Sequence, residues 1–139
     1  MSVSTINIKK MLLTWGPVIF ENFMKDIIEV EAPEDSWSVE YGADGQITRV
    51  NKCIDFAKFT VHLAQSSKTN DKLSAFWNAD RITGASIFPF ALRDGSGSSF
   101  ALADQAFILK PANLSMGNTV KERIWTFHTG EAFINHGSN

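Results

Sequence analysis

From residue 58 to 63 polar and apolar side chains alternate, so Phe59, Val61 and Leu63 fall on one face of an extended strand and Lys58, Thr60 and His62 on the other. This pattern predicts a half-buried strand. After a polar connector, the apolar spacing changes from two to between three and four over residues 70–82, which predicts one helix at about 70–83. Asn70 is its expected N-cap, since the side-chain oxygen can accept from a free backbone N–H of the first turn. Asp71 sits where the helix dipole favours an anion, and Gly84 is the expected left-handed C-cap. Leu73, Phe76 and Trp77 form an apolar stripe extended toward Ile82. A helix of about three and a half turns is not stable alone in water, so the stripe must lie on a sheet.

The rest of the chain reads as strands. Residues 10–15 and 18–24 predict a hairpin about the Gly16-Pro17 turn, and residues 26–31 a third extended run stopped by Pro33. Residues 36–42 and 46–52 flank Ala43-Asp44-Gly45, and the Asp-Gly pair predicts a tight turn with positive φ at both residues. Trp37, Val39 and Tyr41 share one face of this hairpin, with Ser36, Ser38 and Glu40 on the other; it reads either as a projection with an exposed aromatic side or as a core-facing sheet edge. Residues 86–93 predict a strand that Pro89 consigns to an edge or a bulge. Residues 94–99 are a hairpin tip, and residues 100–110 a long strand, apolar on both faces over 106–109 and therefore buried. A loop over 111–119 leads to a last strand, 120–128, with Arg123, Trp125 and Phe127 on one side. Seven or eight strands and one helix imply a mainly β fold, an antiparallel β-sandwich or barrel with one flanking helix. At 139 residues this is one domain, with an N-terminal arm at 1–8, the hairpin at about 36–52 and a C-terminal extension at 129–139.

Composition narrows the chemistry. The net charge of −2 argues against electrostatic nucleic-acid binding, which needs an excess of Lys and Arg on one face. The charge is unevenly spread: residues 1–45 carry three basic and eight acidic side chains, net −5, leaving +3 for residues 46–139. This is either solvated surface or charge complementarity between copies of the chain. No run is long and apolar enough for a membrane span and no secretory leader is visible, so synthesis in the cytoplasm is expected. Cys53, the only cysteine, reads as a buried thiol, and the three histidines have no zinc-ligand spacing, so no metal or cofactor is expected. Asp94-Gly95-Ser96-Gly97 lacks the Lys-Ser/Thr ending of a phosphate loop. His62 has no acid or nucleophile at a diagnostic spacing, and Trp77 and Trp125 read as core. No catalytic constellation results, and a non-enzymatic protein is expected.

The segments 41–46, 61–67 running into 70–74, 106–111 and 123–126, in that order and spacing, resemble the tail tube proteins of contractile-tailed phages and prophages. The resemblance covers residues 36–128 and weakens before them. It implies a sandwich or barrel related to the type VI secretion tube protein. It also implies a virion subunit that forms hexameric rings, stacked into a tube inside a contractile sheath, with sheath and baseplate proteins as partners and DNA passing transiently through the lumen. Within that expectation the hairpin around Asp44 and Gly45, anchored by Trp37 and Tyr41, is the candidate for ring stacking. Glu29 and Glu31, on one face of their strand, are the candidate lumen residues, where carboxylates would repel phosphate. The alternative is a monomeric β-sandwich module that holds a sugar or peptide on Trp15, Trp37 and Tyr41.

Overall fold

Among the residues described by the computed structural model, 11–32, 34–95, 99–119 and 121–137, the chain forms nine strands and one helix. These are β1 (Met11–Trp15), β2 (Val18–Ile19), β3 (Phe23–Glu31), β4 (Trp37–Tyr41), β5 (Ile47–Asn51), β6 (Phe56–Ala64), α1 (Thr69–Thr83), β7 (Phe88–Asp94), β8 (Phe100–Lys110) and β9 (Glu122–Asn135). The N-terminal arm expected at 1–8 lies outside the described residues. Seven strands make one antiparallel sheet in the order β2-β1-β7-β8-β9-β6-β3, while β4 and β5 pair only with each other.

Strict alternation sets which side is core. On β6, Ala57, Phe59, Val61 and Leu63 are buried; on β9, so are Arg123, Trp125, Phe127 and Thr129. The inward positions of β8 are mostly small, Ala101, Ala103 and Ala106, which leaves room for Trp15, Phe59, Phe90 and Phe127 from the facing strands. Phe59 and Phe90 stack with ring centroids 4.1 Å apart although two strands separate β6 from β7 in the sheet. The sheet is therefore curled over its own core. Its two edge strands, β2 and β3, are joined by residues 20–22 alone, a reach of about 14 Å at most. Phe20 in that link packs edge-on against Phe90 and Phe127. Ser67 Oγ donates to the Glu21 carbonyl at 2.6 Å, and the Glu21 N–H donates to Thr69 Oγ1 at 3.2 Å, so the connector before the helix holds the seam closed. The result is the expected sandwich or barrel with one flanking helix.

Several expected boundaries move. The strand expected over 18–24 breaks because Asn22 adopts φ +56°, ending β2 after two residues and letting β3 begin at Phe23. Pro89 sits in an interior strand at a register irregularity between Phe88 and Phe90, so it marks a bulge rather than an edge, and its carbonyl accepts from the Gly16 N–H at 2.8 Å. In β8 only Ala106 and Ile108 of the run 106–109 are buried, and Leu109 is exposed. The segment expected as an extension from residue 129 instead continues β9 to Asn135. The long β8 supplies a partner there, in unbroken register from Ala103↔Ala132 to Phe100↔Asn135.

The helix keeps its expected span and its left-handed cap at Gly84, but not its N-cap. Lys68 occupies the cap position in helical conformation with no side-chain cap bond. Asn70 lies inside the first turn and docks the helix: its amide donates to the Ala64 carbonyl at 2.9 Å and its oxygen accepts from Trp125 Nε1 at 3.0 Å. Leu73 is fully buried, and Phe76 meets Trp15 and Phe88 edge-on at 5.5 and 5.2 Å. Ile82 is 88% exposed. Nine residues from Leu73 at about 100° each is half a turn out of phase, so Ile82 points away from the sheet.

Because every neighbouring pair of strands is antiparallel, the connections sort to two ends. The helix, the Gly16 turn and the loop 111–119 lie at one end. The β4–β5 hairpin, the turn after Asp94 and the last residues of β9 lie at the other.

Candidate functional site

The chain leaves the barrel after Glu31, builds β4 and β5, and returns as β6, with Glu31 paired to Lys58 across the base. The register Trp37↔Asn51, Val39↔Arg49, Tyr41↔Ile47 puts Trp37, Val39, Tyr41, Ile47 and Arg49 on one face. Every residue of both strands is exposed, Tyr41 at 76% and Ile47 at 63%. The projecting arrangement is thus the one adopted. The Arg49 guanidinium lies 4.0 Å above the Trp37 ring. At the foot, the Lys52 N–H donates to the Ser36 carbonyl at 3.0 Å, and Lys52 Nζ stands 3.9 Å from Glu34.

The turn is a three-residue loop, Ala43-Asp44-Gly45, between the expected arms. The Gly45 N–H donates to the Gly42 carbonyl and the Gly42 N–H to the Gln46 carbonyl, at 3.0 and 2.7 Å. Only Gly45 takes a positive φ, +84°; Asp44 instead accepts the Gln46 N–H on Oδ1 at 3.1 Å. An isolated two-stranded hairpin is marginally stable in water, and this one carries an uncovered aromatic face.

The other sequence-derived residues are scattered. Glu29 and Glu31 are exposed on β3, opposite Thr60 and Lys58, and Glu31 is 3.8 Å from Lys58 Nζ. His62 pairs through Nδ1 with Glu122 of β9 on the outer face of the sheet, an acid that no sequence spacing pointed to. Cys53 is exposed, against the expected burial, because it sits at the hairpin foot beyond the last β4–β5 pair, at φ +56°. Trp15 is fully buried and donates to the Ala106 carbonyl at 2.9 Å, which removes it from any ligand-binding surface. Trp125 is core, as expected, and Trp77 packs partly buried against it. Among the described residues, no group of three His, Cys, Asp or Glu side chains could hold a metal, and no helix is long and apolar enough to cross a membrane.

A recess of about 560 Å³ at the helix end was not legible in the sequence. Residues 70–81 of α1, 111–114 of the loop and 123–125 of β9 form it, three segments that only the fold brings together. Arg123 is buried to 8% exposure and donates through Nη1 to the Ser115 carbonyl at 3.0 Å. Arg81 projects from the last turn of α1. Neither guanidinium is in an ion pair among the described residues.

No family model matches the chain. It is similar to "Structural protein ORF10" of Pseudomonas phage KPP10, with 31% identity over 115 residues, 81% of this chain. The match spans 66% of that protein's length. Among solved structures, the chain resembles the tube-terminating cap of the anti-feeding prophage with a TM-score of 0.63, covering 97% of this chain and 94% of that one. At 10% identity that likeness is one of fold. The chain is therefore a relative of a phage structural protein and has the fold of a prophage tube cap.

Proposed function

We propose that this chain is a structural subunit of a phage tail tube. Copies join into rings, six-fold by the sequence resemblance, and the rings stack inside a contractile sheath around a bore through which DNA leaves. The β4–β5 hairpin is the observation that carries this reading: a two-stranded ladder, exposed on both faces, with Trp37, Tyr41 and Ile47 uncovered, makes physical sense as a contact between copies. In such an assembly Asp44 and Gly45 form the tip that reaches the next ring. Heterologous contacts of this kind generate rings and filaments. For the bore, Glu29 and Glu31 remain the proposed residues; the Lys58 partner of Glu31 leaves Glu29 as the stronger repeller of phosphate. Sheath and baseplate proteins are the further partners, and the virion tail the location, after synthesis in the host cytoplasm.

A second reading, a tube terminator, is supported by the likeness to a tube-terminating cap over nearly the whole chain. Negative-stain electron microscopy of the purified protein separates the two. Hollow tubes of many rings support the tube subunit, and single rings that do not extend support the terminator. Tyr41→Ser removes an exposed side chain and so changes monomer stability by less than about 0.5 kcal/mol. It is expected to shorten or abolish the tubes. Tubes of unchanged length would remove the hairpin from the stacking contact.

A further inference from the structure

The hairpin and the recess between α1 and loop 111–119 stand at opposite ends of β6, whose nine residues span about 30 Å at roughly 3.3 Å each. A protrusion at one end and a hollow at the other are the requirements for head-to-tail association. Their charges are opposite as well. The hairpin, residues 34–52, carries Glu34, Asp35, Glu40 and Asp44 against Arg49 and Lys52, with Lys52 held at Glu34 at its foot; its tip, 40–45, has Glu40 and Asp44 and no basic residue. Arg81 and Arg123 are the charged side chains lining the hollow; the adjacent Asp80 carboxylate is turned away, accepting from the Ser86 N–H at 3.2 Å. Arg123 is buried yet bonded only to a carbonyl among the described residues, so its remaining donors suit an incoming carboxylate. Beside it, Trp77 and the 84% exposed Leu114 offer apolar surface to an aromatic ring. We infer that this recess is the receptor for the hairpin tip of a second copy of the chain, with Asp44 directed at Arg81 and Arg123 and Tyr41 laid against Trp77 and Leu114. This rests on the stacking role proposed for the hairpin and adds where the hairpin lands.

The test is site-directed cross-linking in a Cys53→Ser background. Protein carrying Asp44→Cys is mixed with protein carrying Asn78→Cys, oxidised, and run on a non-reducing gel; Gln105→Cys, exposed on the outer face of β8, replaces Asn78→Cys as the control. A covalent heterodimer formed with Asn78→Cys and at least several-fold weaker with Gln105→Cys is expected. In parallel, Arg81→Glu should raise the concentration needed for assembly by roughly tenfold or more, as for a close interfacial charge pair, and Asp44→Arg in the same chain should restore it. Light scattering reads both, and circular dichroism checks that each variant stays folded. Assembly that is abolished by Tyr41→Ser yet gives no preferential cross-link to residue 78 overturns the inference and leaves the stacking hairpin standing. Protein that stays monomeric at every concentration, with or without Tyr41, overturns the stacking role and the inference together.

Discussion

At Gly16 a hydrogen atom stands where any other residue would place a carbon 2.6 Å from Cβ and Cγ of Phe88, and the backbone is held at φ +55°. Phe88 cannot retreat, because its ring is packed edge-on against both Trp15 and Phe76. Gly16→Ala is therefore expected to destabilise the barrel by about 2–4 kcal/mol, the sum of left-handed strain and overpacking, read as a shift in the urea unfolding midpoint. Gly45 shares the positive φ but has open space where its Cβ would go. Replacing Asp44 and Gly45 with alanines costs about 1–2 kcal/mol within the hairpin, leaves the barrel midpoint unchanged, and weakens assembly. An equal fall in barrel stability would contradict the separation of hairpin from barrel. Gly16-Pro17 was legible as a turn and Asp44-Gly45 as a hairpin tip. The contact of Gly16 with Phe88 was not, because 71 residues of chain lie between them. Asn70 shows the same limit: its type and place suit a cap, and only the neighbouring Trp125 indole and Ala64 carbonyl turn it into a docking group.

The long strands hold together through a few buried polar groups as well as alternation. Thr129 Oγ1 accepts the Ala57 N–H at 3.0 Å and donates to the Gly130 carbonyl at 2.8 Å, where the β6–β9 register shifts between Phe56 and Lys58. Thr129→Val keeps the shape and strands a buried N–H, so a loss of about 1–3 kcal/mol is expected on chemical denaturation, with Thr129→Ser close to wild type. Equal stability of the two variants would mean that another group satisfies Ala57. At this scale the sequence was most readable where one face is apolar, as in β6, or where proline marks an end, as after β8. It was least readable in β9 beyond His128, where Gly, Asn and Glu hide a strand that exists because β8 is long enough to pair with it. The exposure of Ile82 was legible in principle, since helical phase alone sets it opposite Leu73.

For the whole molecule, the mixture of many strands and one helix specified the class, but not the order β2-β1-β7-β8-β9-β6-β3, which depends on pairings between distant segments. Nor was the two-ended distribution of protrusion and hollow visible, because the hollow is shared among α1, loop 111–119 and β9. Replacing residues 34–52 with a short Gly-Ser turn should leave a cooperatively folding monomer that no longer forms tubes, as judged by thermal unfolding and electron microscopy. A non-cooperative or molten product would show that the barrel depends on the hairpin. The hairpin is an excursion nested inside the β3–β6 connection, and loop-closure entropy grows only by about 0.6 kcal/mol for each doubling of such a loop. Its length and sequence are thereby released from the demands of folding. On the proposed stacking role, the adhesive part of the chain and the self-folding part are written in separate residues, so a lineage can refit one to a new neighbour while the other is inherited unchanged.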